Sequence, residues 1–419
     1  MLFVTFLLLI PRAGFQYDVD FWSRWAVHIF EKGLSNVYQV GDNTYNPIFH
    51  YILFLYTKLT GSVEKIQHYI HFLKGFTLAF DFIGAIVAAS LVKDKHQRFV
   101  LTLFLLFNIG FLYNTLVWEQ IDGIFSCLAF VAVVCAIRNR PVWSIIFYTL
   151  SIYTKTQAII FLPPLLLLWF PFWAKSFKTF SFAIVATAIL QVLILAPFMW
   201  VGDENYLGRI IDNNIISVDT FPVVSYNAYN FWFLVLDARP LHEVSDALLF
   251  SGISYKTWGL LLFFGSSVAA LLPIAFLSLS HTITKQEYSS KNYAAILLGC
   301  GLIPLLFCYF NTQMHERYWH SAFLFLAAFA FISRNYLPLS IFSVAYLLNL
   351  EKLLRFLNLK NYSTLIFMEN FIAVLFTIVI VISFWSLYKN SNIVQLWQTS
   401  TQRLIFKSRK TAVSAESAS

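Results

Sequence analysis

Residues 258–280 read WGLLLFFGSSVAALLPIAFLSLS, an uncharged apolar stretch long enough to cross a bilayer as one helix. Comparable stretches recur along the chain, at 74–92, 99–117, 123–137, 142–154, 157–172, 179–200, 292–310, 319–333, 336–350 and 365–388. The apolar run at residues 1–10 is interpreted as a further helix that is short or lacks its beginning. These segments predict about twelve transmembrane helices, within a range of about 11–13. The expected fold is an all-α polytopic membrane protein, with residues 1–419 forming a single integral membrane domain.

The composition supports this fold class and excludes others. Hydrophobic residues make up 59% of the chain and charged residues only 12%, whereas a soluble domain carries roughly 25% charge. The net charge of +8 does not indicate nucleic-acid binding, because the basic residues are dispersed in short clusters between apolar runs. The expected partner is therefore the lipid bilayer and not nucleic acid. The four cysteines lie inside apolar runs, which is typical of core residues and not of disulfides or metal sites.

The basic residues also predict which side of the membrane each loop faces. Lys and Arg accumulate in alternate short loops and in the C-terminal segment 389–419, and the positive-inside rule places these in the cytoplasm. They are Lys93, Lys95, Arg98, Arg138, Arg140, Lys175, Lys178, Lys285, Lys291, Arg334, Lys389, Arg403, Lys407, Arg409 and Lys410. We therefore predict a protein of the cell (inner) membrane with a cytoplasmic C-terminus.

Two long segments between spans, 16–73 and 201–257, fall on the external side in this topology. The first contains apolar residues at helical spacing, with Trp22, Trp25 and Ile29 on one face. Such a helix is expected to lie along the bilayer surface as a juxtamembrane helix. Residues 47–60 are interpreted as a second such element, or a re-entrant one, because a full span there would reverse the side of every later loop.

Five polar clusters all fall on the external side of this topology, at membrane boundaries. They are Tyr17-Asp18-Val19-Asp20, Trp118-Glu119-Gln120-Ile121-Asp122, Lys155-Thr156-Gln157, Tyr226-Asn227-Ala228-Tyr229-Asn230 and Gln313-Met314-His315-Glu316-Arg317-Tyr318. Ionisable groups at the membrane are costly to place and usually functional. Because all five clusters lie on the same side, we predict a single outward-facing polar cavity that forms the functional site and faces the periplasm or exterior.

Each cluster has a structural and a functional interpretation. In the structural interpretation, one of Asp18 and Asp20 caps a helix and the other complements its dipole. In the functional interpretation, they supply a general base or a metal-holding pair. Lys155 either extends to the membrane interface or binds an anionic head group.

The two clusters later in the chain also have two interpretations each. His315 and Arg317 suit phosphate, while Glu316 and Arg317 could instead form an internal ion pair. Asn227 and Asn230 suit sugar recognition or a capped helix start. A carboxylate, cations and amides together indicate a lipid-phosphate ligand and a carbohydrate.

The order of these motifs resembles the GT-C superfamily of membrane glycosyltransferases, which use polyprenyl-phosphate sugars. The closest likeness is to bacterial mannosyltransferases related to the second mannosyltransferase of the eukaryotic GPI-anchor pathway. The residues that carry it are Asp18 with Trp25, Tyr45-Asn46-Pro47, Lys74 with Asp81, Trp118-Glu119-Gln120-Ile121-Asp122, Lys155-Thr156-Gln157 with Pro163, Asn227-Ala228-Tyr229-Asn230-Phe231-Trp232 and Met314-His315-Glu316-Arg317-Tyr318. Asn46 and Thr156 each stand where the resembled motifs have proline, and Glu119 stands where they have glycine.

The resemblance implies a reaction and a role for each residue. Asp18 is implied as the catalytic base, and Asp20 as an auxiliary that positions the acceptor or holds a divalent metal ion. The mechanism itself requires no metal or other cofactor. Lys155, His315 and Arg317 are implied in binding the donor phosphate. The cavity and substrate residues are Trp25, Tyr45, Trp118, Gln120, Asp122, Gln157, Asn227, Asn230 and Glu316.

The implied activity is an inverting hexosyl transfer, with mannose as the expected sugar, from polyprenyl phosphate to an acceptor hydroxyl. The acceptor is open among glycans, lipids and proteins. The alternative function is a polytopic transporter or flippase of a lipid-linked sugar. Transporters of that kind are typically built from internal repeats with broken helices at the midplane, and the sequence shows no such repeat.

Overall fold

The computed structural model describes residues 1–11, 14–216, 221–237, 240–284 and 287–391. Lys285 and the C-terminal segment from residue 392 onward, which holds most of the predicted cytoplasmic tail, lie outside the described residues. The described chain is nearly all helical. Its α-helices are α1 Leu2–Leu8, α2 Gln16–Lys32, α3 Pro47–Thr60, α4 Val63–His68, α5 Lys74–Ala89, α6 Lys95–Leu106, α7 Ile109–Leu116, α8 Asp122–Ile137, α9 Pro141–Thr154, α10 Leu162–Lys175, α11 Phe177–Ala196, α12 Leu207–Ile216, α13 Trp232–Val235, α14 Tyr255–Thr284, α15 Ser290–Phe310, α16 Phe323–Ser333, α17 Leu337–Leu354 and α18 Glu369–Ser391.

Shorter elements complete several of these helices. Turns of 3₁₀-helix occupy Leu34–Gln39, Ile70–Leu73, Thr156–Phe161, Leu241–Glu243, Glu316–Ala322 and Leu365–Phe367, and a π-helical turn occupies Pro197–Val201. Strands β1 (Leu249–Phe250) and β2 (Ile253–Ser254) form a small antiparallel hairpin. Its two turn residues, Ser251 and Gly252, both have positive φ, as a tight two-residue hairpin turn requires.

Among the described residues, seven helices are long and apolar enough to cross a membrane. They are Ile70–Ala89, Thr156–Lys175, Phe177–Val201, Tyr255–Thr284, Ser290–Phe310, Leu337–Leu354 and Glu369–Ser391. An eighth would be α6 with α7, which are bent by 55° at their junction, where Asn108 caps α7 through its side chain. The protein is thus a multi-pass membrane protein of helices. The expected number of about twelve spans is not confirmed, because α8, α9 and α16 have 16, 14 and 11 residues and fall short of a full crossing.

The main hydrophobic core lies between the helices of the second half and α5, α8 and α10. Helices α8, α15 and α16 are buried nearly all round. This burial explains why their sequences are apolar without a polar face. These central helices bring the loops that follow α7, α9 and α15 next to one another.

The first external segment forms a second hydrophobic core of its own. In α2 the residues Trp22, Trp25 and Ile29 are each at most 2% exposed, and they pack with Phe49 and Leu53 of α3. The apolar face of α2 is therefore covered by protein, which corrects the expectation that this face lies against the bilayer. Helix α3 begins at Pro47 and ends at Thr60, followed by Gly61 with φ 76° as its cap, and it is not among the helices that qualify as spans.

Candidate active site

A cluster of charged and amide side chains gathers where three distant parts of the chain meet. The Gln120 Nε2 donates a hydrogen bond of 2.5 Å to Asp18 Oδ2, and the Arg317 Nη1 lies 3.7 Å from the same carboxylate oxygen. Asp18 lies in the first turn of α2, Gln120 precedes α8, and Arg317 belongs to the 3₁₀ turn after α15. One carboxylate is thus held between an amide donor and a guanidinium.

A second carboxylate joins the cluster at the start of α8. Asp122 is fully buried, and its Oδ1 accepts a 2.5 Å hydrogen bond from Lys155 Nζ. Its position in the first turn of the helix suits a negative charge, because the helix dipole is positive there. Arg317 Nε lies 3.9 Å from Asp122 Oδ2, so Arg317 stands between Asp18 and Asp122.

Lys155 reaches this position because the helix breaks at its backbone. Helix α9 ends at Thr154, and Lys155 has extended dihedrals, φ −155° and ψ 125°, before a 3₁₀ turn begins at Thr156. Burial lowers the pKa of the Lys155 ammonium, while the neighbouring Asp122 carboxylate opposes that effect.

Glu316 and His315 lie next to Arg317 and complete the cluster. Burial raises the pKa of Glu316 to about 7, against the opposing effect of Arg317, whose Nη1 lies 3.7 Å away. Burial also lowers the pKa of His315 well below its usual value, and the charges of Arg317 and Lys155 act in the same direction. Both effects favour the neutral imidazole of His315, which offers one N–H donor without adding charge.

A cavity of about 540 Å³ opens beside this cluster. Tyr45, Lys155, Gln157, His315 and Arg317 line it. Its remaining walls include the apolar side chains of Ile159, Ile160, Leu260 and Phe307. A polar part rich in donors and an apolar part thus share one space, which suits a ligand with an anionic head and a hydrocarbon tail.

Of the residues expected at the site, five lie outside both the cluster and the cavity lining. Asp20 is exposed and accepts a hydrogen bond from Gln16. Trp25 donates to Asp42 within the second core. Trp118 stacks on Phe15. Residues two apart on a helix point in different directions, so Asp18 and Asp20 cannot both face Arg317.

The other two belong to the scaffold that supports the site. Asn230 is fully buried and donates to the carbonyl of Cys308 at the end of α15. Asn227 has φ 70°, and its carbonyl accepts a hydrogen bond from Asn349. Their hydrogen bonds tie the segment before α13 to α15 and α17, which agrees more with the structural interpretation than with direct sugar recognition.

Glu119, which stands where the resembled motifs have glycine, forms a buried ionic group next to the cluster. It has φ 64° and is 3% exposed. Its Oε2 lies 2.7 Å from His71 Nδ1 and 3.3 Å from Lys74 Nζ. Lys74 also donates to the carbonyls of Pro11 and Leu116, so this group fixes the loop that carries Gln120 and Asp122.

The cavity lining also includes polar residues that sequence reasoning did not single out, among them Asn213, Lys256 and Asn311. Asn213 and Lys256 belong to α12 and α14, and no motif in the sequence marks them. Asn311 is only two residues from the Gln313–Tyr318 cluster, and that proximity was the available signal. Within the described ranges, no group of three or more His, Cys, Asp or Glu side chains is placed to hold a metal ion.

The helical membrane fold and the ionic cavity agree with a comparison to known families. Residues 43–214 match the model of glycosyltransferase family 87, a family of the GT-C type, and this supports a membrane glycosyltransferase. The match covers less than half of the chain, so this part is similar to family 87. It includes Tyr45, Gln120, Asp122 and Lys155 and does not extend to Asp18 or Arg317. A search of curated proteins found no match, and the expected relation to GPI-anchor mannosyltransferases is not confirmed.

Proposed function

We propose that the protein transfers a hexose from a polyprenyl-phosphate donor to an acceptor hydroxyl, with inversion at the anomeric carbon. The observation that carries this proposal is that Lys155 and Arg317 line one cavity with polar and apolar walls, while Asp18 lies next to that lining, 3.7 Å from Arg317. In the reaction, the acceptor oxygen forms a bond to the anomeric carbon, while the bond from that carbon to the phosphate oxygen breaks. The hydroxyl proton passes to Asp18, and polyprenyl phosphate leaves.

The cationic wall of the cavity supports the phosphate part of the proposal. Arg317 and Lys155 place a guanidinium and an ammonium at the cavity, and neutral His315 adds one donor. Negative charge develops on the phosphate as the glycosidic bond breaks, and preorganised cations stabilise that charge. The Asp18, Asp122 and Glu316 carboxylates surround Arg317 within 4 Å and hold the guanidinium in place.

The position of Asp18 supports its role as general base. Its second contact, the Gln120 amide, orients the carboxylate without neutralising it. Asp20 instead lies exposed at the surface, where it accepts a hydrogen bond from Gln16 of the same helix. A metal bridging Asp18 and Asp20 is therefore not part of the proposal, since the two side chains do not share one site.

The proposed donor sugar and the proposed side of the membrane are supported by the sequence alone. The motif resemblance favours mannose, and the distribution of basic residues favours a site facing the periplasm or exterior. The acceptor is a hydroxyl of a glycan, lipid or protein.

Transfer of radiolabelled mannose from polyprenyl-phosphate mannose to membrane acceptors tests the proposal. We expect Asp18→Asn to lower transfer about a hundredfold or more, because the isosteric amide keeps the contacts but cannot take a proton. Asp20→Asn is the matched variant, and we expect it to retain most of the activity. Expression level and melting temperature are measured for each variant, so that a loss of transfer is not caused by loss of folded protein.

The other outcomes distinguish between parts of the proposal. Equal transfer by wild type and Asp18→Asn would remove Asp18 as the base. A loss in Asp20→Asn alone would move that role to Asp20. No transfer of mannose or glucose by the wild type would contradict the glycosyltransferase activity with these donors and favour the transporter alternative.

A further inference from the structure

The side chains of Asn46 and Thr156 are joined directly, although 110 positions separate them. Asn46 Nδ2 donates to Thr156 Oγ1 at 3.0 Å and to the carbonyl of Ile152 at 3.1 Å. Thr156 Oγ1 in turn donates to Asn214 Oδ1 of α12. Asn46 is 7% exposed and Thr156 is half-buried, and both line the cavity, so the contact lies in the cavity wall.

These hydrogen bonds bracket Lys155. Ile152 lies in the last turn of α9, whose final carbonyls have no partner inside the helix. Thr156 is the first residue of the following 3₁₀ turn. The Asn46 amide therefore contacts the chain on both sides of Lys155, at the Ile152 carbonyl and at the Thr156 hydroxyl. Lys155 lines the cavity, and its Nζ contacts Asp122.

The backbone angles of Asn46 and of Lys155, which precedes Thr156, are compatible with proline at positions 46 and 156. Asn46 has φ −79° and ψ 156°, and this φ is close to the value at which the proline ring fixes it. Pro47 follows it. Thr156 occupies the first position of a helical turn, where proline is favoured. The residue before it, Lys155, is extended, as a residue preceding proline must be.

We propose that Asn46 and Thr156 are a coupled positioning pair, which sets Lys155 to receive the phosphate of an isoprenyl-phosphate ligand. The inference rests on the proposed function in one respect, namely that Lys155 contacts the donor phosphate. The pair uses two hydrogen bonds to fix a backbone that two prolines would fix covalently. A change at either position alone removes the hydrogen bond between the two side chains, while Asn46 keeps its bond to the Ile152 carbonyl or Thr156 its bond to Asn214.

Binding of citronellyl phosphate to the full-length protein in detergent tests the pair without requiring turnover. We expect Asn46→Pro and Thr156→Pro each to weaken binding about tenfold, and the double variant to return within about threefold of wild type. Thr156→Val, which deletes the hydroxyl and keeps the shape, is expected to resemble the single variants. The matched control is Thr187→Val, whose hydroxyl bonds only within α11, and it is expected to bind as wild type does.

Two further readouts separate positioning from a general loss of structure. Binding of citronellol, which lacks the phosphate, is expected to be the same in all these proteins. In a Lys155→Gln background the Thr156→Val change is expected to have no further effect on binding of citronellyl phosphate. The proposed pair would be overturned if the losses of binding caused by Asn46→Pro and Thr156→Pro simply added in the double variant. It would also be overturned if Thr156→Val weakened binding in the Lys155→Gln background as much as it does in the wild type.

Failure of the pair and failure of the proposed function give different results. Coupled binding effects in a protein that transfers no hexose would leave the pair in place and contradict the glycosyltransferase activity. Normal transfer with purely additive binding effects would overturn the pair alone. A wild type that does not bind citronellyl phosphate at all would overturn the pair as well.

Discussion

At the scale of single residues, the site depends on which of several similar side chains faces inward. The motif Tyr17-Asp18-Val19-Asp20 offers two carboxylates with the same chemistry. Only Asp18 meets Gln120 and Arg317, because the two side chains lie on different sides of α2. The sequence therefore placed a carboxylate at this point of the chain, and the packing of α2 selected one of the two.

Glu316 leads to a prediction on the pH dependence of stability. Its pKa is raised from 4.5 to about 7, chiefly by burial, while Arg317 opposes the rise and Asp18 and Asp122 add to it. Between pH 4.5 and 7 the unfolded chain therefore releases a proton that the folded protein keeps. The free energy of unfolding contributed by Glu316 is greatest below pH 4.5 and falls as the pH rises to about 7.

Thermal unfolding of wild type and Glu316→Gln from pH 4.5 to 8 measures this contribution. We expect the melting temperature of the wild type, relative to the variant, to fall with rising pH and to level off above about pH 7, since glutamine does not titrate. Glu243→Gln is the control, because Glu243 is exposed. Parallel curves for wild type and Glu316→Gln would contradict the assigned shift.

At the scale of elements, close helix packing determines where the second carboxylate of the site lies. Helix α8 begins with Asp122 and Gly123, and it packs against α5. A Cβ atom added at Gly123 would lie 2.6 Å from Asp81 Oδ1 and 3.1 Å from Thr77 Cγ2. Glycine at this position allows the approach of α5 and α8 that holds Asp122 beside Lys155.

Gly123→Ala is therefore predicted to destabilise the protein by about 1–3 kcal/mol, as overpacking in a filled core does. The clash outweighs the helix propensity of alanine, which favours it over glycine by about 1 kcal/mol. Gly208→Ala in α12 is the matched control, since nothing lies within 4 Å of its added Cβ. Unfolding curves in one detergent should show a lower melting temperature for Gly123→Ala and an unchanged or higher one for Gly208→Ala. Similar behaviour of the two variants would mean that α5 and α8 are less closely packed than described.

At the scale of the whole molecule, contacts join the segments of the site that carry Asp18, Gln120 and Arg317. Residues of the opposite end also contact one another, as Arg138 does with Ser90 and Asn139 with Glu287. Because the basic loops belong to this opposite end, the predicted orientation places the cavity outside and the basic loops in the cytoplasm.

Labelling of introduced cysteines with a membrane-impermeant maleimide tests this orientation. We expect Asn205→Cys and Ser363→Cys, at the cavity end, to react in intact cells. His96→Cys and Ser290→Cys, at the other end, should react only after permeabilisation. All four positions are exposed in the structure. Labelling of the native cysteines is expected to be low, because Cys127, Cys300 and Cys308 are buried and Cys135 is half-buried. The reverse pattern would place the cavity in the cytoplasm and contradict the predicted side.

The sequence by itself determined the class of this protein, because hydrophobic length and charge distribution act locally and can be read without a fold. Long uncharged segments must form helices in a membrane, where backbone groups have no other partner. The polar clusters that the sequence singled out also supplied the residues of the charged cluster, among them Asp122, Lys155 and Arg317. The coupling of Asn46 to Thr156 was not visible, since it joins positions 110 residues apart.

Only the tertiary structure decided which side chains share the site. It buried the apolar face of α2 in a second core, turned Asp20 outward, and used Asn230 to bind α15. The physical reason is that each of these outcomes depends on contacts between distant segments. Burial and hydrogen bonding between such segments depend on how the helices pack. The periodicity of one helix does not indicate which other helix it will contact.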